Sequence, residues 1–148
     1  MTAYIHPTAL VNPGFVPAPF TIVDEGAAIF ADVTVGSFVR VHAGARLHEG
    51  CVIGDHVTIG YGVDIGDGVV VSDFSFVGRP PAVSDGAEDG AAEPLVTTIG
   101  RDTSIGCLVI IELGAAVGAD CFIGDRATIS SGCVIADGSS VAAGSVVT

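Results

Sequence analysis

The four histidines are the first candidates for acid–base chemistry, because an unperturbed imidazole changes its charge near neutral pH. They lie at positions 6, 42, 48 and 56, and no histidine follows His56. Asp55 precedes His56 directly, and a neighbouring carboxylate can orient an imidazole ring. We therefore predict that His56 is the general base, and we expect structural or surface roles for the other three.

Two carboxylates are alternative candidates for accepting a proton. Asp73 lies in the segment Val71-Ser72-Asp73-Phe74, and Glu112 interrupts an otherwise apolar stretch. A carboxylate can hold an amino group and take its proton late in a reaction. Asp73 and Glu112 therefore stay open as catalytic residues beside His56, and an ordinary solvated position is the alternative for Glu112.

Cationic side chains are scarce, since the formal net charge is −12 and the five basic residues are all arginines. Binding to nucleic acid or to an anionic membrane needs a basic surface, so both are unexpected here. A phosphate-bearing ligand would need one of the arginines or backbone amides. We predict that Arg126 contacts a phosphate bidentately and that Arg79 does the same for a substrate.

A six-residue period decides the fold class. Stepping by six from Ile5 reaches Val77 with an aliphatic residue at every position except Pro17, and a second such run extends from Ile99 to Val147. A small residue often stands four positions after each aliphatic one. This pattern fits a short strand and a turn, repeated, with three repeats closing one triangular coil of a parallel β-helix. It predicts an all-β fold of about seven coils.

The two runs differ in register, which predicts an excursion from the coil. We expect one domain over residues 1–148, with coils over 5–82, an excursion loop over 78–98 and further coils over 99–148. The loop is acidic and rich in Gly and Ala, with Pro80 and Pro81 at its base. Loops of this length in compact domains are usually functional or disordered.

The repeat resembles that of the bacterial hexapeptide-transferase superfamily over nearly the whole chain. The resemblance implies a left-handed helix, a homotrimer, active sites between neighbouring prisms, and a coenzyme A that runs along the groove beside the loop. Galactoside-type members carry a catalytic histidine as Gly-His-Pro, where this chain has Gly78-Arg79-Pro80. Arginine stays protonated and cannot act as that base, so this departure favours an amine acceptor over a hydroxyl acceptor.

The resemblance also implies a cofactor-binding column. Cys107, Asp125 and Ala143 each lie two residues after an inward aliphatic residue and recur every 18 residues, so they should stack on one corner. In the resembling enzymes, small residues at such positions line the pantetheine arm of acetyl-CoA. We predict that Cys107, Asp125, Arg126 and Ala143 bind acetyl-CoA or another short acyl-CoA as co-substrate.

Several other classes are not expected. No Cys/His spacing matches a zinc site, and the histidines lie too early in the chain for the metal site of γ-class carbonic anhydrases, which share the fold. No apolar run is long enough to span a membrane, and no signal peptide is seen, so a cytoplasmic location is expected. The predicted function is acetyl transfer from acetyl-CoA to a small-molecule acceptor, an amino sugar or sugar nucleotide. The alternative is a catalytically silent β-helix that acts as an oligomerisation or binding module.

Overall fold

The chain folds as a triangular parallel β-helix of about seven coils, which confirms the predicted fold class. The computed structural model describes residues 2–80 and 95–148. Nearly all strands in these ranges are two residues long, because each side of a coil uses only six residues. The strands are β1 (Tyr4–Ile5), β2 (Leu10–Val11), β3 (Ile22–Val23), β4 (Ala28–Ile29), β5 (Thr34–Val35), β6 (Arg40–Val41), β7 (Arg46–Leu47), β8 (Val52–Ile53), β9 (Thr58–Ile59), β10 (Asp64–Ile65), β11 (Val70–Val71), β12 (Phe76–Arg79), β13 (Thr98–Ile99), β14 (Ser104–Ile105), β15 (Ile110–Glu112), β16 (Ala116–Val117), β17 (Phe122–Ile123), β18 (Thr128–Ile129), β19 (Val134–Ile135), β20 (Ser140–Val141) and β21 (Val146–Val147).

Three parallel sheets form the faces of the prism. Sheet I has the order β1-β3-β6-β9-β12-β15-β18-β21, sheet II has the order β2-β4-β7-β10-β13-β16-β19, and sheet III has the order β5-β8-β11-β14-β17-β20. Strands in neighbouring coils pair in register, so that Ile53 stands opposite Val71 and Ile123 stands opposite Val141. Asp64 pairs with Thr98, and this one coil therefore contains the excursion.

The interior is a stack of aliphatic side chains. The residue at every sixth position is almost fully buried along most of the helix, as at Leu47, Ile59 and Ile129. A small residue two positions earlier lets the facing coils approach. Ser75 and Thr103 occupy two of these inward positions, and each hydroxyl donates a 2.7 Å hydrogen bond to a backbone oxygen of the next coil. Their burial therefore leaves no unpaired hydroxyl.

Three columns of turns form the edges of the prism. We call the turns after sheet I the first corner, those after sheet II the second corner, and those after sheet III the third corner. Sheet II lies between the first and second corners, so it faces away from the third corner. Many of these turns contain one residue with positive φ, which glycine adopts without strain.

The excursion leaves the helix at the first corner, after β12. Residues 81–94 lie outside the described ranges, so only the two ends of the predicted loop are described. At its base, the Leu113 amide donates a 2.8 Å hydrogen bond to the Arg79 carbonyl oxygen. On the returning end, Leu95 packs over Gly114, where an added Cβ would lie 3.3 Å from the Leu95 side chain. Within the described ranges, no helix is long and apolar enough to cross a membrane.

Candidate functional site

The predicted site residues lie on two different edges of the prism. His56, Asp73, Cys107, Asp125, Arg126 and Ala143 all belong to turns of the third corner, whereas Arg79 and Glu112 lie at the first corner. The fold therefore brings the predicted cofactor column together with His56 and Asp73. It keeps both groups apart from Glu112 and Arg79.

The aspartates of the third corner bind neighbouring turns. Asp73 Oδ1 accepts a 2.8 Å hydrogen bond from the Asp55 amide, and Asp125 Oδ1 accepts a 2.9 Å hydrogen bond from the Cys107 amide. Each carboxylate thus satisfies an amide that would otherwise need water or a ligand. The stacking of Cys107, Asp125 and Ala143 is present, but the Cys107 amide already has a partner within the chain. The cofactor role of this column stays a prediction.

His56 is held by its two aromatic neighbours in the same column. Its ring lies between Phe38 and Phe74, parallel to both, with centroid distances of 4.7 and 4.8 Å. Stacked rings of this kind stabilise the packing of adjacent coils. Both faces of the imidazole are covered, and only its edge reaches solvent. This geometry favours a structural role, and the catalytic role of His56 stays a prediction.

Arg126 occupies the same turn position as His56, three coils farther along the helix. Its backbone has φ of 61°, and the residue is exposed. It forms no ion pair with any residue in 2–80 or 95–148. Its guanidinium is accordingly available to an anion, but among the described residues no second cation stands beside it on the third corner.

Arg79 and Glu112 form an ion pair at the base of the excursion. Arg79 Nη2 donates to Glu112 Oε1 at 2.8 Å, and the second oxygen of Glu112 accepts the Ser131 amide at 3.0 Å. Both residues lie where the register of the β12–β15 pairing shifts. At this point β12 and β15 run longer than the other strands. The two residues were predicted for separate roles, and the fold uses them together.

The pair changes what Glu112 can do as a base. The hydrogen bond from Arg79 holds the pKa of the Glu112 carboxyl below its ordinary value, and the Ser131 amide adds to this effect. A carboxylate with a lowered pKa is a weaker proton acceptor. The geometry therefore favours Glu112 as an anchor for Arg79, and its catalytic role stays a prediction.

His48 and Asp64 form a histidine–carboxylate contact on sheet II. The distance from His48 Nε2 to Asp64 Oδ1 is 2.6 Å, and the imidazole stacks on Phe30 with a centroid distance of 4.8 Å. The side chains are 29% and 43% exposed, respectively. The carboxylate and the aromatic ring fix the imidazole, while its other nitrogen makes no hydrogen bond to the described residues.

Two concavities meet at His48. The larger one, of about 860 Å³, covers the early coils of sheet II and is lined by Phe30, Arg46 and small residues such as Ala28. The smaller one, of about 330 Å³, contains Asp64, Thr98 and Arg101. His48 lines both. Volumes of this order suit small-molecule ligands.

A spacing in the sequence could have revealed the His48–Asp64 pair. Leu47 and Ile65 are opposite each other in neighbouring coils. His48 follows the first and Asp64 precedes the second, so both side chains point outward on one face. A separation of 16 residues therefore marks a diagonal contact in an 18-residue coil. Asp24 and Arg40 have the same separation and form an ion pair at 3.1 Å.

His42 has a carboxylate nearby but a different environment. Its Nδ1 lies 3.4 Å from Asp24 Oδ2, and Tyr61 covers the ring. Burial lowers the His42 pKa, Arg40 lowers it further, and Asp24 opposes both. The adjoining concavity is about 240 Å³. Since Nδ1 is buried without a hydrogen bond, this nitrogen is closed to a substrate.

In the described part of the chain, no group of three or more His, Cys, Asp or Glu side chains is arranged to hold a metal ion. The four cysteines are free thiols. Cys51 is buried, and burial raises the pKa of its thiol to about 11.

Comparison with known proteins agrees with the repeat. The model of the family described as bacterial transferase hexapeptide (six repeats) matches residues 32–63 and 114–148. No curated protein sequence matches the chain.

Several solved structures are similar in fold. LpxA from Acinetobacter baumannii is 18% identical with a TM-score of 0.52, over 99% of this chain and 65% of that one. Perosamine N-acetyltransferase from Caulobacter crescentus, in complex with CoA and GDP-perosamine, is 19% identical with a TM-score of 0.43, over 90% and 50%. The acetyltransferase domain of PglB from Neisseria gonorrhoeae is 21% identical with a TM-score of 0.43, over 95% and 54%. The chain thus spans about half the length of the last two proteins.

Proposed function

Since this chain is a hexapeptide-repeat β-helix of the bacterial transferase superfamily, we propose that it is an acyl-CoA-dependent acyltransferase that acetylates the amino group of a sugar or sugar nucleotide. The observation that carries the proposal is the His48–Asp64 contact of 2.6 Å at the junction of two concavities. Solved structures of the same fold include acetyltransferases, but their identity is too low to assign an activity.

The contact determines which nitrogen of His48 can accept a proton. A 2.6 Å approach between an imidazole nitrogen and a carboxylate oxygen places a donated proton on Nε2. Nδ1 then carries the lone pair. Because Phe30 and Asp64 hold the ring, Nδ1 keeps one direction relative to the groove. An oriented imidazole with a free lone pair is the usual general base of acyl transfer.

The proposed reaction is direct transfer in a ternary complex. The acceptor nitrogen attacks the thioester carbonyl carbon, His48 Nδ1 takes a proton from that nitrogen, and the carbon–sulfur bond breaks. The imidazolium of His48 then gives this proton to the leaving thiolate of CoA, which restores the neutral imidazole. Asp64 stabilises the imidazolium that forms in between.

The two concavities suggest where the two substrates lie. The larger one contains Arg46, which stands 5.9 Å from the Phe30 ring centre and forms no ion pair with the described residues. We assign it to acetyl-CoA, whose phosphates would meet this guanidinium. The smaller concavity, with Arg101 and Thr98, is then the acceptor site.

Thiol release from acetyl-CoA tests the activity. The protein is incubated with acetyl-CoA and a panel of amino sugars and their nucleotide-linked forms, and products are identified by mass. We expect acceptor-dependent thiol release with a mass gain of one acetyl group. If no acceptor gives thiol release and acetyl-CoA gives no saturable binding heat, the silent binding module replaces this proposal.

A matched pair of arginine variants tests the position of the cofactor. Arg46→Met removes the guanidinium in the groove of sheet II, and Arg126→Met removes the one on the third corner. Calorimetric titration should show that Arg46→Met weakens acetyl-CoA binding roughly tenfold, the loss of one charged hydrogen bond, while Arg126→Met leaves it unchanged. The reverse result would place the cofactor on the third corner, along Cys107, Asp125 and Ala143.

A further inference from the structure

The first corner carries a small polar concavity, which spans the four successive turns after β1, β3, β6 and β9. We use the name first-corner pocket for this concavity, which is lined by His6, Asp24, Glu25, Arg40, Ala43 and Tyr61. Its volume of about 240 Å³ lies below the range of about 300–1,000 Å³ that suits drug-sized ligands. The pocket therefore has room for one small ring and is too small for a nucleotide or for coenzyme A.

Two side chains of the first-corner pocket offer hydrogen-bond donors. His6 Nδ1 accepts a 3.2 Å hydrogen bond from the Thr8 amide, and the Thr8 hydroxyl lies 2.8 Å from the same nitrogen. Because Nδ1 is an acceptor, the hydrogen of the neutral imidazole stands on Nε2, which makes no hydrogen bond to the described residues. Arg40 donates to Asp24 through Nε only, at 3.1 Å. The two Nη groups of Arg40 are therefore available as further donors.

Three backbone amides along the first-corner pocket are open as well. At five turns of the other two corners, an aspartate one coil farther accepts a hydrogen bond from the equivalent amide, as Asp55 does from Ser37 at 2.8 Å. The amides of Glu25, Ala43 and Tyr61 have no partner among the described residues, because no aspartate follows them one coil farther. Such amides need an oxygen atom from water or from a ligand.

The acceptors of the first-corner pocket are carboxylates. Asp24 binds Arg40 through Oδ2, and the exposed Glu25 side chain makes no hydrogen bond to the described residues. An ammonium ion only donates hydrogen bonds, so it would leave the open amides and His6 Nε2 without partners. A phosphate only accepts them, and it would face two carboxylates. A hydroxyl group both donates and accepts, so the pocket suits a neutral ligand with several hydroxyl groups.

Tyr61 adds an aromatic surface to these polar groups. Its ring lies on His42 with a centroid distance of 4.6 Å, and this contact holds the ring in place. The residue is nevertheless 61% exposed, so much of the ring is open to a ligand. The face of an aromatic ring carries partial negative charge, which attracts the weakly positive C–H groups on one face of a pyranose. A pyranose combines such an apolar face with hydroxyl groups around its edge.

From its size, its mixed donors and acceptors and its aromatic surface, we infer that the first-corner pocket binds one pyranose ring of a carbohydrate. The ring stacks on Tyr61, while its hydroxyl groups donate to Glu25 and accept from His6 Nε2 and the open amides. This site is separate from the proposed activity, because His48 lies at the second-corner end of sheet II. His48→Gln should therefore leave pyranose binding unchanged, and a failure of one proposal would leave the other intact.

Saturation-transfer NMR with simple glycosides tests the inference. The probes are the methyl pyranosides of glucose, galactose and mannose, which carry no amine, and acetyl-CoA is left out. We expect saturable binding of at least one of them, with the strongest transfer to the ring hydrogens that face Tyr61. Tyr61→Phe keeps the aromatic ring and should retain binding, whereas Tyr61→Ala should weaken it roughly tenfold. Circular dichroism should stay unchanged in both variants, because Tyr61 is an exposed turn residue.

A charge variant and a competitor distinguish a carbohydrate from a cation. Glu25→Gln keeps an acceptor oxygen, so it should change the pyranoside affinity by less than about threefold, whereas it would abolish the binding of a cation. Asp32→Asn is the matched control, since Asp32 is an exposed carboxylate at the second corner. Methylammonium chloride should not displace the pyranoside at equal concentration. Displacement by methylammonium, unchanged binding in Tyr61→Ala, or the absence of transfer to all three pyranosides would overturn the inference.

Discussion

At the scale of single residues, the surroundings of an imidazole determine whether it can accept a proton. The ring of His56 is covered on both faces by Phe38 and Phe74. His48 is stacked on one side only, and Asp64 binds one of its nitrogens. The first arrangement supports the packing of coils, whereas the second orients an imidazole at the edge of a groove.

The Arg79–Glu112 pair should make stability depend on pH. Since the folded-state pKa of Glu112 is lowered, the pair stabilises the fold above the ordinary glutamate pKa of about 4.3. That contribution is lost as the pH falls through the lowered pKa. Arg79→Met should reduce the free energy of unfolding at pH 7 by roughly 1 kcal/mol, a value between those typical of exposed and of buried ion pairs. This corresponds to about 2–4 °C in thermal midpoint.

Thermal unfolding at pH 7 and at pH 3 checks this prediction. The difference between Arg79→Met and the unaltered protein should shrink at the lower pH. Arg101→Met is the control, because Arg101 and its partner Asp102 are 65% and 56% exposed, and it should change the midpoint little at either pH. An Arg79→Met difference that grows on acidification would contradict the assignment.

Residue roles were the least predictable part of the chain. The sequence indicated that Cys107, Asp125 and Ala143 stack, because their spacing equals one coil. It did not indicate that Asp125 uses its carboxylate on the Cys107 amide, since hydrogen bonding depends on side-chain direction. The Arg79–Glu112 pair depends on an irregularity at the excursion, which a strict six-residue period does not contain.

At the scale of elements, glycine has two distinct uses in this helix. After some inward aliphatic residues it allows close approach to the next turn: a Cβ on Gly124 would lie 2.5 Å from the Ala143 amide nitrogen and 2.9 Å from the Ala142 carbonyl carbon. At other turns it only provides positive φ. Gly138 has φ of 71° and open space within 4 Å of the added atom.

These two uses predict different effects of the same substitution. Gly124→Ala should reduce the free energy of unfolding by about 2–3 kcal/mol, because the methyl group would displace the backbone of the next coil. Gly138→Ala should reduce it by about 1 kcal/mol, from backbone strain alone. Denaturant unfolding of both variants measures the two values. Equal effects would mean that close approach between turns does not limit the packing.

The elements themselves followed well from the sequence. The six-residue period predicted short strands. From β3 onward, each inward aliphatic residue lies within a strand. The extension of β12 to Arg79 was not predicted, because it arises from pairing with β15 across the excursion. Local pattern specifies the repeat, and its exceptions come from contacts between distant segments.

At the scale of the whole molecule, charge opposes compactness. The net charge is −12, and with few cations between them the carboxylates repel one another. Salt screens this repulsion. Many of the carboxylates lie at corners, where coils stack at the spacing of adjacent strands, about 4.8 Å. Like charges are therefore aligned along the length of the helix.

The thermal midpoint should rise with ionic strength. Between about 0.01 M and 0.3 M sodium chloride the Debye length falls from about 30 Å to well under 10 Å, so repulsion along the corners weakens. Scanning calorimetry at pH 7 gives the midpoint at each concentration. Choline chloride should have the same effect as sodium chloride, because screening does not depend on the cation. A midpoint that falls with either salt would show that attractive pairs dominate instead.

The most direct test of the proposed activity compares two histidines in one assay. Acetyl transfer is followed by thiol release from acetyl-CoA, with the acceptor that gives the highest rate, for His48→Gln and His56→Gln. We predict that His48→Gln lowers kcat by about 10²–10⁴-fold, the contribution of a general base, while His56→Gln leaves kcat within about twofold and affects mainly the thermal midpoint. A large loss of kcat in His56→Gln together with full activity in His48→Gln would rule out His48 as the base and place the chemistry on the third corner.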